Sequence, residues 1–158
     1  MRRKDREVTN KDEILEIIRK CDVCRLAFYD EDYPYIIPMN FGFSSEGADI
    51  ELLFHCANAG KKLDLIKANP KAGFEMDCSH KLILGKEKDC NSTMEYESIC
   101  GNGMIEILSE DRKVYALTQL MNQYSSKDNF EFSEKDLMGI TVFKLTVQHI
   151  YAKRLKRS

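Results

Sequence analysis

Apolar positions recur along this chain with two different periods. Ile14, Leu15, Ile17 and Ile18 share one face of a 3.6-residue repeat, which predicts an amphipathic helix over residues 11–20. Asn10 precedes it as an N-cap with Glu13 three residues on, a pairing suited to the first free amides of a helix. A period closer to two then takes over. Residues 25–29 predict one strand, 30–32 a polar turn, 33–43 a second and longer strand, and 50–55 a third, with Ser44 to Asp49 as the hairpin between the last two. Pro34 and Pro38 interrupt the second strand. Proline has no N–H for a ladder, so this strand belongs at an edge or carries a bulge near Pro38.

Residues 58–68 predict a short helix closed by Asn69-Pro70, followed by a strand over 72–78 and a polar loop over 79–91. A long strand is expected over 93–108, bent at Gly101 and Gly103. An amphipathic helix over 111–124 carries Val114, Leu117, Leu120 and Met121 on one side, and a last strand over 140–151 has Val142, Phe143, Leu145 and Val147 as its apolar core. The tally is about six strands and three helices with no regular βαβ alternation. That predicts a mainly β, antiparallel barrel decorated by helices.

Composition narrows the setting. At 158 residues the chain fits one domain, with 1–9 and 154–158 expected as flexible tails. Charged residues at 32% and apolar ones at 43% describe a globular chain, and a net charge of −2 gives no global basic field for nucleic acid. Basic residues cluster only at the ends, as Arg2-Arg3-Lys4 and as Lys153-Arg154-Leu155-Lys156-Arg157. No apolar run is long enough for a membrane span or a signal peptide, so a cytoplasmic protein with its six cysteines reduced is expected. Cys21-Asp-Val-Cys24 has CxxC spacing but precedes a strand rather than opening a helix, and Cys78, His80 and Cys90 are too irregularly spaced for a zinc site.

The chemistry concentrates in His55-Cys-Ala-Asn-Ala-Gly-Lys-Lys62, which runs from a strand end into a helix start. Asn58 is the expected N-cap. Lys61 and Lys62 then fall beside the positive end of the helix dipole, where cations are normally unfavourable. Free amides and two ammonium groups in one place make an anion site, most simply for phosphate, and Gly60 lets a ligand approach the backbone. This is not a Walker loop. His55 sits one step before the site, placed to donate a hydrogen bond or a proton. Pro38-Met39-Asn40-Phe41-Gly42 leaves main-chain groups available for the edge of a flat ring. Tyr96-Glu97-Ser98 is a polar interruption in a strand.

Taken together, these segments resemble the pyridoxamine-phosphate-oxidase-like flavin-binding superfamily, and within it the nitroimidazole-reductase-like proteins. The resemblance runs from Cys24-Arg25-Leu26 to Ala152-Lys153-Arg154. It rests on Tyr35-Ile-Ile-Pro-Met-Asn-Phe-Gly42, on Phe54-His-x-Ala-x-x-Gly-Lys-Lys62, on Tyr96-Glu-Ser98 with Gly101, and on Lys153. It implies a six-stranded antiparallel split β-barrel that works as a homodimer with flavin at the interface, FMN being the expected cofactor with FAD possible. Pro38, Met39, Asn40 and Phe41 would line the ring. His55, Ala57, Gly60, Lys61 and Lys62 would hold ribityl and phosphate. Glu97, Ser98 and Lys153 would complete the pocket, partly from the other subunit. The resemblance also makes His55 the catalytic candidate in reducing a small acceptor such as a nitro compound or quinone, with NAD(P)H or a partner flavoprotein as donor. Ala152-Lys153 departs from the Gly-Lys common in such proteins, and the C-terminal substrate motif of true pyridoxamine phosphate oxidases is missing. Two alternatives stay open: a flavin- or haem-binding barrel without turnover, with His149 or His80 as iron ligand, and a redox sensor acting through Cys21 and Cys24.

Overall fold

The computed structural model describes residues 3–45, 49–86 and 88–157. Among these residues eight strands form one sheet: β1 (Glu7–Val8), β2 (Cys24–Phe28), β3 (Tyr35–Met39), β4 (Gly42–Ser44), β5 (Glu51–Ala57), β6 (Lys71–Ile83), β7 (Thr93–Ile107) and β8 (Ile140–Leu155). Their order is β3-β2-β6-β7-β8-β5-β4, with β1 added against β8, and all pairings are antiparallel. Four helices flank the sheet: α1 (Lys11–Lys20), α2 (Lys61–Ala68), α3 (Lys113–Tyr124) and α4 (Glu134–Met138).

The sheet coils so that inward side chains of distant strands meet. Leu26, Phe54, Phe74, Ile99 and Phe143 share one core, closed by Ile17 and Ile18 of α1 and by Leu63 and Ile66 of α2. Burying each such side chain contributes about 1.5–3 kcal/mol. A smaller cluster lies on the outer face of the sheet, where Ala116 and Leu117 of α3 cover Leu53 and Val142. The α1 face is the one the periodicity predicts, and Asn10 caps it by accepting from the amides of Asp12 and Glu13.

Several expectations need correction. The single strand over 33–43 is two strands, β3 and β4, at opposite ends of the sheet order. The chain crosses at Asn40–Phe41, and Gly42 is needed there because a Cβ would collide with the Gln119–Leu120 backbone of α3. This split and the short β1 raise the strand count from six to eight. β3 pairs only with β2, so Pro38 does lie on an edge strand. The hairpin after Ser44 includes residues 46–48, which lie outside the described residues, although β4 and β5 do pair antiparallel. β6 runs on to Ile83 through a bulge between Cys78 and Lys81, so the expected loop over 79–91 begins later. In α3 the buried residues are Lys113, Ala116, Leu117 and Leu120, and Val114 is 47% exposed. Lys113 is buried because its Nζ donates to Leu137 O at 2.7 Å, tying α3 to α4, a helix the periodicity did not anticipate.

Among the described residues, parts of both expected tails are paired into the sheet. Glu7 and Val8 pair with Lys153 and Ala152. β8 extends to Leu155, and it does so by changing phase. Asn102 lies opposite His149 but Gly103 lies opposite Val147, which leaves Gln148 as the extra residue of a β-bulge. Before the bulge Phe143 and Leu145 face the core; after it Ile150 and Ala152 do.

Candidate functional site

β5 delivers His55, Cys56 and Ala57 to the start of α2, and the three-residue link 58–60 is held from both sides. Asn58 Nδ2 donates to Met138 O (2.8 Å), and Thr141 Oγ1 donates to Asn58 Oδ1 (2.9 Å). Asn58 is thus a clamp on α4 and β8 rather than the expected helix cap. Gly60 is the N-cap, with φ 137° and ψ 161°, a conformation that side-chain-bearing residues rarely adopt. A Cβ there would meet nothing within 4 Å, so the backbone angle, not space, calls for glycine. Gly60 O accepts from Leu63 N (2.9 Å) and Asp64 N (3.4 Å), and no side chain caps the helix.

The two lysines part ways. Lys61 Nζ pairs with Asp30 Oδ2 at 2.6 Å and lies 5.5 Å from the Tyr35 ring centroid. Lys62 Nζ points inward, 3.4 Å from Met39 Sδ and 6.0 Å from the Phe143 ring centroid. Among the described residues no carboxylate pairs with it. His55 is half-buried, and its Nδ1 is buried without a hydrogen-bond partner. Burial first, and Lys62 second, push the imidazole below its ordinary pKa, favouring the neutral ring. Burial raises the neighbouring Cys56 thiol, and Lys62 partly counters this. Met39, His55 and Cys56 therefore gather around Lys62, with Gly60 two residues before it at the helix start. Pro38 and Asn40 are exposed beside it on the edge, and Ala57 is exposed at the end of β5.

Phe41 differs from its neighbours in sequence. Its side chain is fully buried in the core, and its amide donates to Tyr124 Oη at 2.9 Å, whose hydroxyl donates in turn to Asp22 O at 2.8 Å. Sequence spacing missed Tyr124 because it stands on α3, 83 positions from Phe41.

Glu97, Ser98 and Lys153 lie elsewhere. Glu97 is 1% exposed and accepts from Lys20 Nζ (2.9 Å), Ser79 Oγ (2.9 Å) and Arg154 Nε, while Arg154 also donates to Glu13 Oε1 (2.6 Å). Burial alone would raise its pKa, but the hydrogen bonds from Lys20, Arg154 and Ser79 outweigh that and hold it at about 2. Ser98 and Lys153 are register partners on the outer face, and with Cys100 and Tyr151 they line a shallow pocket of about 290 Å³. His55 lies opposite Val142 on β8 and Ser98 opposite Lys153, eleven positions along that strand. At roughly 3.3 Å per residue the path along β8 between them is on the order of 35 Å. One chain does not bring them together.

Among the described residues there is no group of three or more His, Cys, Asp or Glu placed to hold a metal ion, and no helix is long and apolar enough to cross a membrane. A protein from Bacteroides thetaiotaomicron VPI-5482 named for 5-nitroimidazole antibiotic resistance is 28% identical, with a TM-score of 0.79 over 93% of this chain and 85% of that one. The FAD and heme binding protein of Mycobacterium smegmatis shares the fold at 16% identity, with a TM-score of 0.82 over 96% of this chain and 74% of that one. A flavocytochrome of Azotobacter vinelandii does so at 14%, with a TM-score of 0.81 over 99% and 72%. A comparison with curated protein sequences finds no match. The protein-family model for pyridoxamine 5'-phosphate oxidase matches residues 10–154, nearly the whole described barrel, and the chain belongs to that family and has its split-barrel fold.

Proposed function

We propose that this protein binds FMN at the β5–α2 junction and reduces a small acceptor such as a nitro compound or a quinone. One observation carries the reading: an uncapped helix start beside Lys62, an ammonium group that among the described residues meets a thioether and an aromatic ring but no carboxylate, and His55, whose buried Nδ1 has no hydrogen-bond partner there. Cations at a helix N-terminus are unfavourable unless an anion joins them. The 28% identity to the nitroimidazole-resistance protein supports this choice of acceptor.

The residues present fit such a cofactor. Lys62 and the first amides of α2 would hold its phosphate, with Lys61 contributing once drawn from Asp30. Gly60 and Ala57 would admit it against the backbone. Pro38, Met39 and Asn40 would line the ring, with Phe41 supplying main chain only, since its side chain is in the core. Bound FMN would supply the two-electron chemistry; orientation and electrostatics come from the protein. His55, kept neutral by burial and Lys62, would hold a proton on one ring nitrogen for the acceptor.

Ser98 and Lys153 are too far from His55 to serve the same flavin within one chain, so in this reading a second copy supplies them and the working unit is a homodimer. Glu97 contributes by fixing the strands that carry them. The electron donor would be NAD(P)H, bound transiently, or a partner flavoprotein, in the cytoplasm.

The test is single-turnover reoxidation of the FMN-loaded, reduced protein by a nitroaromatic, with FMN in excess. His55→Ala is expected to slow it by roughly 10²–10⁴-fold, the usual worth of general acid–base catalysis. A wild-type rate would remove His55 from the mechanism. Protein that fails to quench FMN fluorescence at micromolar concentration would remove the cofactor.

A second reading, haem binding without turnover, has its own observation. His149 lines a cleft of about 520 Å³ with Tyr29, Pro34 and Gly73, and its Nδ1 engages Asn102 Oδ1 at 2.9 Å, leaving Nε2 for a ligand. His80 instead pairs with Asp77. A Soret band in the purified protein would favour haem.

A further inference from the structure

None of the chemistry above uses the six cysteines, all of which are free thiols. Cys21 ends α1 as its C-cap in an extended conformation, φ −79° and ψ 138°, and Cys24 begins β2; both are buried. An extended chain rises roughly 3.3 Å per residue, so a three-residue step can open up to about 10 Å. A disulfide spans Cα separations up to roughly 7 Å. The CxxC spacing by itself does not make a pair of them.

Cys21 has a different neighbour. β2 and β6 are antiparallel with Arg25 opposite Glu75. At the end of α1, Lys20 Nζ and Cys78 Sγ both donate to Glu97 Oε2, at 2.9 Å and 4.0 Å, so the Cys21 end of that helix lies beside Cys78. Both cysteines border the same core. The titration of Cys21 agrees with this placement: burial first, then the adjacent Cys78 through its charge and a hydrogen bond, push that thiol up. Cys78 is only half-buried and so is the accessible member. It stands at the last regular pair before the β6 bulge, and the next residue, Ser79, has φ 60°, rare for a residue with a side chain.

The Cys21–Asp22 step is also tied to the proposed flavin pocket. Asp22 O accepts from Tyr124 Oη (2.8 Å) and from Asn40 Nδ2 (3.4 Å), Tyr124 Oη accepts from Phe41 N (2.9 Å), and Gln123 Nε2 donates to Cys21 O (2.7 Å). A displacement of residues 21–22 reaches residues 38–41 through two hydrogen bonds.

We propose that Cys21 and Cys78 are a redox pair, and that their disulfide loosens the Asn40–Phe41 segment and with it the hold on flavin. The last clause rests on the flavin site proposed above. With a peroxide as oxidant, the Cys78 thiolate attacks one peroxide oxygen, the O–O bond breaks, and a sulfenic acid and hydroxide form. The sulfur of Cys21 then attacks that of Cys78. The S–S bond forms, the S–O bond breaks, and the departing hydroxyl takes the Cys21 proton as water. Two thiols are oxidised and one peroxide is reduced to two waters.

The experiment uses the full chain with Cys90→Ser and Cys100→Ser, which removes the two exposed thiols. After hydrogen peroxide treatment it is digested without reductant by trypsin together with a protease that cuts before aspartate, separating Cys21 from Cys24. The expected product links the Cys21 fragment to the Cys78 fragment with loss of two hydrogens. A Cys21–Cys24 link, or Cys78 oxidised to sulfinic acid beside a free Cys21, overturns the pair. Hydrogen exchange of the Phe41 amide is expected to speed up in the oxidised protein and not in Cys78→Ala; unchanged exchange overturns the coupling. FMN affinity is expected to fall about five-fold or more on oxidation, the lower range of typical coupling between sites. Equal affinity in both forms overturns the effect on flavin. If the reduced protein takes up no FMN, the flavin site falls, while the linkage and exchange measurements still decide the pair.

Discussion

The two ends of β8 handle charge in opposite ways. At the Arg154 end a carboxylate is almost fully buried, and Lys20, Ser79 and Arg154 all donate to it, with Glu13 closing the network. Every partner is protein, and the result ties α1, β6, β7 and β8 together. At the Val142 end a cation and an imidazole are partly buried, yet the cation meets a sulfur and the imidazole Nδ1 meets nothing. Buried polar groups are ordinarily hydrogen-bonded. An end that satisfies itself serves stability; one that leaves groups unsatisfied is the end the proposed flavin site would use. Both ends contain motif residues, so motif membership alone did not separate the two roles.

The contrast can be broken most forcefully at Arg154. Arg154→Ala leaves Glu97 buried with a weakened network and is expected to cost about 3–5 kcal/mol, the usual effect of removing one partner of a buried pair. Urea denaturation measures it, and a loss below about 1 kcal/mol would mean the network holds little. The same carboxylate fixes a pH dependence. Its folded-state pKa of about 2 lies below its ordinary 4.5, so its stabilisation is complete above about 4.5 and is lost as pH falls toward 2. Acid denaturation of Glu97→Gln should show a shallower decline across that window than the wild type.

The opposite end is expected to respond in binding rather than in folding. Lys62→Ala should weaken FMN affinity about ten-fold or more, since a charge-assisted hydrogen bond is worth about 1.5–3 kcal/mol. Its urea midpoint should barely move. Lys61→Ala should weaken FMN less, because Asp30 already holds that ammonium. Equal losses for the two would show that Asp30 releases Lys61 fully on binding. The smallest effect is expected for Gly60→Ala, about 1 kcal/mol of stability for a side chain forced into that backbone region, with some loss of FMN affinity. An unchanged midpoint would mean the turn relaxes without cost.

Much of this was legible in the sequence where the signal is local. The face of α1, the Asn10 cap and the edge placement of Pro38 each follow from residues within a few positions, while the helix expected from residue 58 starts at Lys61. What was not legible depends on distant partners. Nothing near Glu97 in sequence announces that Lys20 and Arg154, 77 and 57 positions away, will surround it. Asn58 looked like a cap because its type suits one, but Met138 and Thr141 claim its side chain. The 33–43 strand read as continuous because alternation persists across Asn40–Phe41, while the change of sheet edge is set by α3.

The bulge at Gln148 has a consequence for how this protein can evolve. It shifts the pleat by one residue, so that Arg154 turns inward to Glu97 while Lys153 turns out beside Ser98. Substitutions along β8 are local events. Gain of a single codon beyond Gln148 is not, because it would exchange the two basic side chains between interior and surface and invert every position beyond it, whereas loss of Gln148 itself would leave a regular strand with His149 still opposite Asn102 and every later side chain on its present face. The tail of β8 should therefore tolerate replacement, or loss of the extra residue, far more readily than an insertion, and lineages are expected to vary its letters while adding none.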